Sequence, residues 1–251
     1  MAFLTVSQDY KLAFEVVGTG APIVLVHGFG SNRRINWRAP GWYDTLIGAG
    51  RQVIAFDLRG HGESDKPHDP AAYDEGELAA DVVRLIDHLG HDKADVMGYS
   101  MGGFITTRLL HDSPQRMRRA VIGGVGENYY GRDTFQAEAI AAALRAPESA
   151  KVTDPMQRQF RLFAEQGKND LEALALAMTR PRRSITAAEF RGLDVPVLIV
   201  VGERDEITGP PGAFAEAIPG ARVLIVPKRD HMMTVGDKAF KQAVLDFLGA
   251  P

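Results

Sequence analysis

One short stretch decides the fold: VMGYSMGGF, residues 96–104, places a serine between glycines at the end of an apolar run. Glycines two positions before and two after Ser100 suit a backbone turn that is too sharp for a side chain at either position. The preceding residues are typical of a buried strand, and residues 101–113 (MGGFITTRLLHDS) are typical of a helix. Gly-x-Ser-x-Gly between a strand and a helix is the pattern of a nucleophile elbow. An ordinary serine in a tight turn is the alternative interpretation.

Apolar runs on both sides of this stretch alternate with segments of helical length. Residues 3–17 alternate loosely between apolar and polar types, which predicts an antiparallel hairpin at the start of the fold. Six later runs are typical of strands buried on both faces of a parallel sheet: PIVLVHG, QVIAFDLRG, ADVMGYS, RAVIGGVG, PVLIVVGERD and ARVLIVP. We therefore predict an α/β fold with a doubly wound, mostly parallel sheet and an N-terminal hairpin.

This alternation stops between residues 126 and 193, where helical stretches occur without a convincing strand. We predict that residues 126–193 form a small helical cap inserted after the sixth strand, and that residues 1–125 and 194–251 form the core. The cap has an alanine-rich helix with few large apolar side chains, so it does not resemble a lipid-docking lid. We expect it to cover a pocket of a few hundred Å³.

Composition excludes several classes of function. The 251 residues are 45% hydrophobic and 24% charged, and the net charge of −3 argues against a nucleic-acid partner. The chain has no cysteine, which removes thiolate nucleophiles and cysteine metal sites. The N-terminal residues do not resemble a signal peptide, and no apolar run approaches the ~18 residues of a membrane span. We expect a cytoplasmic protein, a monomer or homodimer, without a membrane partner.

Polar side chains follow the parallel strands, where ligands bind in open α/β sheets. A serine nucleophile needs a base, and the base needs an anion that holds its tautomer. Of the seven histidines, His231 follows the last apolar strand and returns to this edge of the sheet, while the others fall at helix ends, in turns or in a surface loop. Asp205, after the penultimate strand, is the favoured anion. Glu203 and Glu127 are alternatives.

Together these motifs resemble the α/β-hydrolase superfamily, in particular its small capped esterases and cofactor-free haloperoxidase-like enzymes. The resemblance rests on VHGFG (26–30), DLRGHGESDKP (57–67), GYSMGG (98–103), GERDEI (202–207) and RDHMM (229–233). It implies Ser100 as nucleophile, His231 as base and Asp205 as the residue that orients the base. It also implies that the backbone N–H groups of Phe29 and Met101 bind the oxyanion.

The resemblance implies a serine hydrolase of small or medium uncharged esters or lactones, without a metal or organic cofactor. Ser100 separates the chain from relatives with aspartate at the elbow, the haloalkane dehalogenases and epoxide hydrolases. Alternatives on the same residues are a C–C bond hydrolase, an enol-lactonase and a perhydrolase, and a ligand receptor without turnover is an alternative of another class. Tyr99 and Met232 are candidate pocket residues. Their bulk, with a small pocket, predicts a preference for acetate to hexanoate esters.

Overall fold

An eight-stranded sheet forms the centre of the structure, a computed structural model that describes residues 2–131 and 134–249. Residues 1 and 250–251 of the predicted core and residues 132–133 of the predicted cap therefore lie outside the described residues. The strands are β1 Ala2–Thr5, β2 Lys11–Val17, β3 Ala21–Val26, β4 Arg51–Phe56, β5 Ala94–Tyr99, β6 Met117–Gly123, β7 Val197–Gly202 and β8 Arg222–Val226.

The strand order is β1-β2-β4-β3-β5-β6-β7-β8. The first two strands form the predicted hairpin, and β2 pairs antiparallel with β4. All other neighbours are parallel, which places the C-terminal ends of β3 to β8 at one edge of the sheet. The predicted doubly wound, mostly parallel sheet is confirmed.

Helices cover both faces of this sheet. They are α1 Trp42–Gly48, α2 Glu75–His88, α3 Met101–Asp112, α4 Thr134–Arg145, α5 Pro155–Gln166, α6 Leu171–Thr179, α7 Gly212–Ala217, α8 His231–Thr234 and α9 Lys238–Gly249. Apolar residues of α2 and α3 pack on one face of the sheet, and those of α1 and α9 pack on the other. Within the described ranges, no helix has both the length and the apolar character needed to cross a bilayer.

Three helices, α4 to α6, lie in the segment between β6 and β7 and share an apolar cluster of their own. Arg161 of α5 is buried and donates from one guanidinium nitrogen to the carbonyl oxygens of Ala143, Leu144 and Ala146, at 3.1, 2.6 and 2.6 Å. These carbonyls end α4, where a positive charge also interacts favourably with the helix dipole. The contact fixes α5 against the end of α4.

Candidate active site

The elbow serine lies in a strained backbone conformation between β5 and α3. Ser100 has φ 55° and ψ −118°, a positive φ that is uncommon outside glycine. A Cβ on Gly98 would lie 2.1 Å from the Gly102 carbonyl oxygen, and one on Gly102 would lie 2.0 Å from the Val26 carbonyl oxygen. Only glycine fits at these two positions. The turn presents a partly exposed Ser100 at the N-terminus of α3.

A buried carboxylate and imidazole meet beside this turn. The Nδ1 atom of His231 lies 2.7 Å from Oδ2 of Asp205, and both residues are buried. Thr208 donates to the same carboxylate, from its backbone N–H to Oδ1 at 2.9 Å and from its hydroxyl to Oδ2 at 2.8 Å. Burial alone would raise the pKa of Asp205, but hydrogen bonds from His231 and Thr208 outweigh burial and hold that pKa below its usual value. An ionised carboxylate only accepts, so Nδ1 of His231 carries the proton and Nε2 is left as the basic nitrogen.

The imidazole lies next to the serine. An ideal Cβ on Gly124 would be 2.9 Å from Cε1 of His231 and 3.3 Å from the backbone nitrogen of Ser100, so these two residues flank the same glycine. Both also line one cleft. Within the described residues, the Ser100 hydroxyl makes no hydrogen bond to the His231 imidazole. Catalytic hydrogen bonds of this kind are often long until a substrate binds. Tyr99 donates its hydroxyl to the His231 carbonyl oxygen at 2.5 Å and so holds the histidine loop against β5.

The two alternative carboxylates lie elsewhere. Glu203 is exposed and accepts a hydrogen bond from the backbone N–H of Lys228 at 2.7 Å. Glu127 is exposed in a helical turn after β6, and the described structure shows no contact between its carboxylate and His231. Of the three acids considered from the sequence, Asp205 is therefore the one that the fold brings to the imidazole.

The loop after β3 orients the peptide between Gly28 and Phe29. The Gly28 N–H donates to Oδ1 of Asn36 at 3.0 Å. The Gly28 carbonyl oxygen accepts from Nδ1 of His27 at 2.8 Å and from the Ser31 N–H at 3.3 Å. In a planar trans peptide the N–H points opposite to the carbonyl, so these two bonds fix the direction of the Phe29 N–H. Phe29 lines the cleft.

The histidine that holds this loop is neutral. The backbone N–H of Leu58 donates to Nε2 of His27 at 2.9 Å, so Nε2 has no proton while Nδ1 donates. Burial lowers the pKa of His27 to about 4. His61 lies next to it, with ring centroids 5.1 Å apart, and burial lowers its pKa to about 3. His27 therefore holds the loop in its uncharged form, and the His61 ring packs beside it, also uncharged.

The cleft above Ser100 is much larger than the sequence predicts. Its volume is about 1910 Å³, against the expected few hundred, and its lining includes residues of α5 and residues that follow His231. Met232 lines it with 53% of its surface exposed, whereas Tyr99 is 3% exposed and contributes little. Met101 is buried in the core, so only its backbone N–H, at the start of α3, is available to a substrate.

Charged side chains of both signs line this cleft. The three positive side chains, Arg158, Arg229 and Lys238, are partly offset by the two negative ones, Glu206 and Asp237, and Arg229 pairs with Asp237 at 2.6 Å. The lining therefore has no strong field of one sign. In the part of the chain that the structure describes, no group of three or more histidine or acidic side chains could hold a metal ion.

Two contacts of the site do not follow from the sequence motifs. Thr208 supplies two of the three donors to Asp205. The spacing Asp-x-x-Thr is a detectable signal for it, since an Asp side chain often accepts from the backbone N–H three residues later. Asn169, between α5 and α6, donates to the Gly30 carbonyl oxygen. No local pattern predicts this contact across 139 residues.

Comparisons with known proteins agree with this architecture. Residues 21–185 match the family model described as the alpha/beta hydrolase fold, and residues 168–251 match a model described as TAP-like protein. A thermophilic esterase from Thermogutta terrifontis is 27% identical with a TM-score of 0.76, covering 98% of this chain and 97% of that one. Bromoperoxidase from Bacillus anthracis has a TM-score of 0.82 at 22% identity, covering 99% of each chain, a likeness of fold.

A further relative is a longer protein. The dihydrolipoyllysine-residue acetyltransferase component of the acetoin cleaving system from Pseudomonas putida is 32% identical over 250 residues. The match covers 94% of this chain but 65% of that protein. The chain thus spans just under two thirds of the length of this relative.

Proposed function

Because the chain belongs to the α/β-hydrolase fold family, we propose that it is a serine hydrolase that cleaves uncharged carboxylic esters or lactones through an acyl-enzyme. One observation carries the proposal: the strained Ser100 lines a single cleft with His231, whose Nδ1 is hydrogen-bonded to the buried Asp205 behind it. Serine at the elbow supports acyl chemistry, since its ester intermediate is released by water as a free acid.

The first half of the reaction forms the acyl-enzyme. Oγ of Ser100 attacks the ester carbonyl carbon while Nε2 of His231 takes the hydroxyl proton. Asp205 accepts from Nδ1 and stabilises the imidazolium, and Thr208 keeps the carboxylate in place. The C–O bond to the alcohol then breaks, and the leaving oxygen takes the proton from Nε2.

The second half releases the acid. Nε2 of His231 takes a proton from water, and the resulting hydroxide attacks the acyl carbon. The bond to Oγ of Ser100 breaks, and Ser100 recovers its proton from the imidazolium. The products are the acid and the alcohol, and the protein returns to its starting state.

Backbone donors stabilise the tetrahedral intermediates. The Phe29 N–H is held in direction by the bonds to the Gly28 carbonyl, and the Met101 N–H is in the first turn of α3. Both belong to rigid backbone, so little reorganisation is needed when charge develops on the oxygen. The partial positive charge at the start of α3 acts in the same direction.

A panel of activated substrates tests the proposal against its alternatives. Purified protein is assayed with p-nitrophenyl esters, lactones, thioesters and vinylogous diketones, and with hydrogen peroxide as a competing acyl acceptor. We expect ester or lactone hydrolysis with many turnovers, lost in Ser100→Ala and retained in Ser113→Ala at the other end of α3. Preference for the diketone would support a C–C hydrolase, and peracid formation a perhydrolase. Ligand-dependent stabilisation without turnover would support a receptor.

A further inference from the structure

We infer that the cleft selects esters with a medium or long apolar acyl chain, in place of the acetate-to-hexanoate preference predicted from the sequence for a small pocket; the inference rests on the proposed hydrolase function. Among the described residues, eleven large hydrophobic side chains are exposed, and six of these line the one cleft that contains Ser100. These six form what we call the apolar rim: Ile35, Met156, Leu162, Ile207, Met232 and Met233. Scattered exposed apolar residues are ordinary, but six that line one cleft together with the proposed nucleophile indicate a ligand.

Three residues of the rim are close in sequence to the proposed catalytic residues. Met232 and Met233 directly follow His231 in α8, and Ile207 lies between Asp205 and Thr208. Asp230 caps α8 by accepting from the Met233 N–H at 2.8 Å, which stabilises the turn that carries both methionines. Because these three rim residues line the same cleft as Ser100 and His231, we expect a substrate whose carbonyl is at Ser100 to contact them.

Two further residues of the rim belong to α5. Met156 and Leu162 are 42% and 39% exposed on the cleft side of this helix, while Arg161 is buried against the end of α4. Phe160 and Phe163 also line the cleft from α5. The helix thus contributes four large apolar side chains to the cleft, beside the polar Arg158, Gln159 and Gln166, while its anchoring charge at Arg161 does not line the cleft.

Size and chemistry favour an extended apolar chain. Pockets for small molecules are typically about 300–1,000 Å³, and this cleft is about 1910 Å³, so an acetyl group would leave most of the rim in water. Burial of each additional methylene can increase kcat/KM up to about fourfold. Three of the six rim residues are methionines, whose flexible side chains adapt to apolar groups of different shape. We therefore expect tolerance toward chain branching as well as length.

A chain-length series with rim variants tests the inference. We expect kcat/KM for dissolved p-nitrophenyl octanoate to exceed that for the acetate by tenfold or more, roughly what a few buried methylenes provide. In Met156→Ser, Leu162→Ser and Met233→Ser, this octanoate-to-acetate ratio should fall about threefold to tenfold. Val223→Ser and Ile225→Ser are matched controls, because these residues are 45% and 49% exposed on edge strand β8, away from the cleft. Their ratio should equal that of the unmodified chain.

The outcomes separate this inference from the proposed function. Two results would overturn the inference and still support the proposed hydrolase. One is Ser100-dependent hydrolysis that is fastest with the acetate ester, and the other is an octanoate-to-acetate ratio that the rim variants leave unchanged. Absence of Ser100-dependent hydrolysis at every chain length overturns the hydrolase. In that case a binding assay with Ser100→Ala decides the inference. Methyl octanoate should displace the apolar dye Nile red from this variant far better than methyl acetate does. Equal displacement by both esters, or no effect of the rim variants, would refute it.

Discussion

Asn169 donates its side-chain amide to the carbonyl oxygen of Gly30 at 2.9 Å, which joins the inserted helices to the loop that carries Phe29. The same amide donates to the Ala164 carbonyl oxygen at 3.2 Å near the end of α5. One side chain thus fixes both the wall of the cleft and the proposed oxyanion loop. The two parts of the site are therefore mechanically connected.

Asn169→Leu should lower kcat for p-nitrophenyl acetate about threefold to tenfold, the effect of losing one hydrogen bond that positions the Phe29 loop. Asp154→Ala is the control, since Asp154 caps the other end of α5 by accepting from the Gln157 N–H at 2.9 Å. Loss of this cap should destabilise the helix by about 1 kcal/mol without changing the loop. An equal loss of kcat in both variants would show that Asn169 acts only by stabilising α5 and does not position the Phe29 loop.

Asp205→Asn should lower kcat by about 10⁴, because the amide cannot hold the Nδ1–H tautomer of His231. KM and thermal stability should change little. Steady-state kinetics on Glu127→Gln and Glu203→Gln provide the comparison, with kcat expected within about twofold, as for surface substitutions. A large loss of kcat in Glu127→Gln, with Asp205→Asn still active, would show that Glu127 is the residue that orients His231.

Thr208→Val should remove the hydroxyl donor to Asp205 and keep the backbone donor. A hydrogen bond to a charged group contributes about 1.5–3 kcal/mol, so we expect kcat to fall roughly tenfold or more and the pKa of Asp205 to rise toward its usual value. Thr45→Val is a control with the same substitution. The Thr45 hydroxyl, on α1, donates to the carbonyl of Gly41, which precedes that helix. Unchanged kinetics in Thr208→Val would show that the backbone donor suffices.

Buried neutral histidines predict a loss of stability in mild acid. His27 and His61 have folded-state pKa values of about 4 and about 3, below the 6.5 of an unfolded chain. Below pH 6.5 the unfolded state binds more protons, so stability is complete above that pH and decreases as pH falls toward the folded-state values. Between pH 7 and pH 5 each histidine should remove about 2 kcal/mol from the free energy of unfolding.

Urea unfolding at the two pH values measures this loss. In His61→Phe the free energy of unfolding should fall by about 2 kcal/mol less between pH 7 and pH 5 than in the unmodified chain. This holds whatever the stability of the variant at pH 7. His88→Gln, at an exposed position, should keep the full difference. A difference that is the same in all three proteins would mean that His61 is not a buried neutral group.

Local chemistry explains what could be predicted from the sequence. Gly98 and Gly102 predict the turn because neither position has room for a Cβ. Gly98 lies against the Gly102 carbonyl within the turn, and Gly102 lies against the carbonyl of Val26 in the neighbouring strand β3. The sheet was predictable because runs buried on both faces are continuous in sequence. The size of the cleft was not predictable, because its lining comes from segments far apart in sequence, among them α5 and α8, whose packing no local pattern determines. The Asn169–Gly30 contact likewise arises only from tertiary packing.

The most direct test of the account is to identify the residue that a fluorophosphonate modifies. The protein is incubated with the probe at neutral pH and the adduct is located by peptide mass spectrometry in the unmodified chain, Ser100→Ala, His231→Ala and Ser113→Ala. We predict one adduct on Ser100, absent in Ser100→Ala, greatly slowed in His231→Ala and unchanged in Ser113→Ala. Rapid labelling of another serine, or labelling that persists in Ser100→Ala, would contradict the proposal that Ser100 is the activated nucleophile.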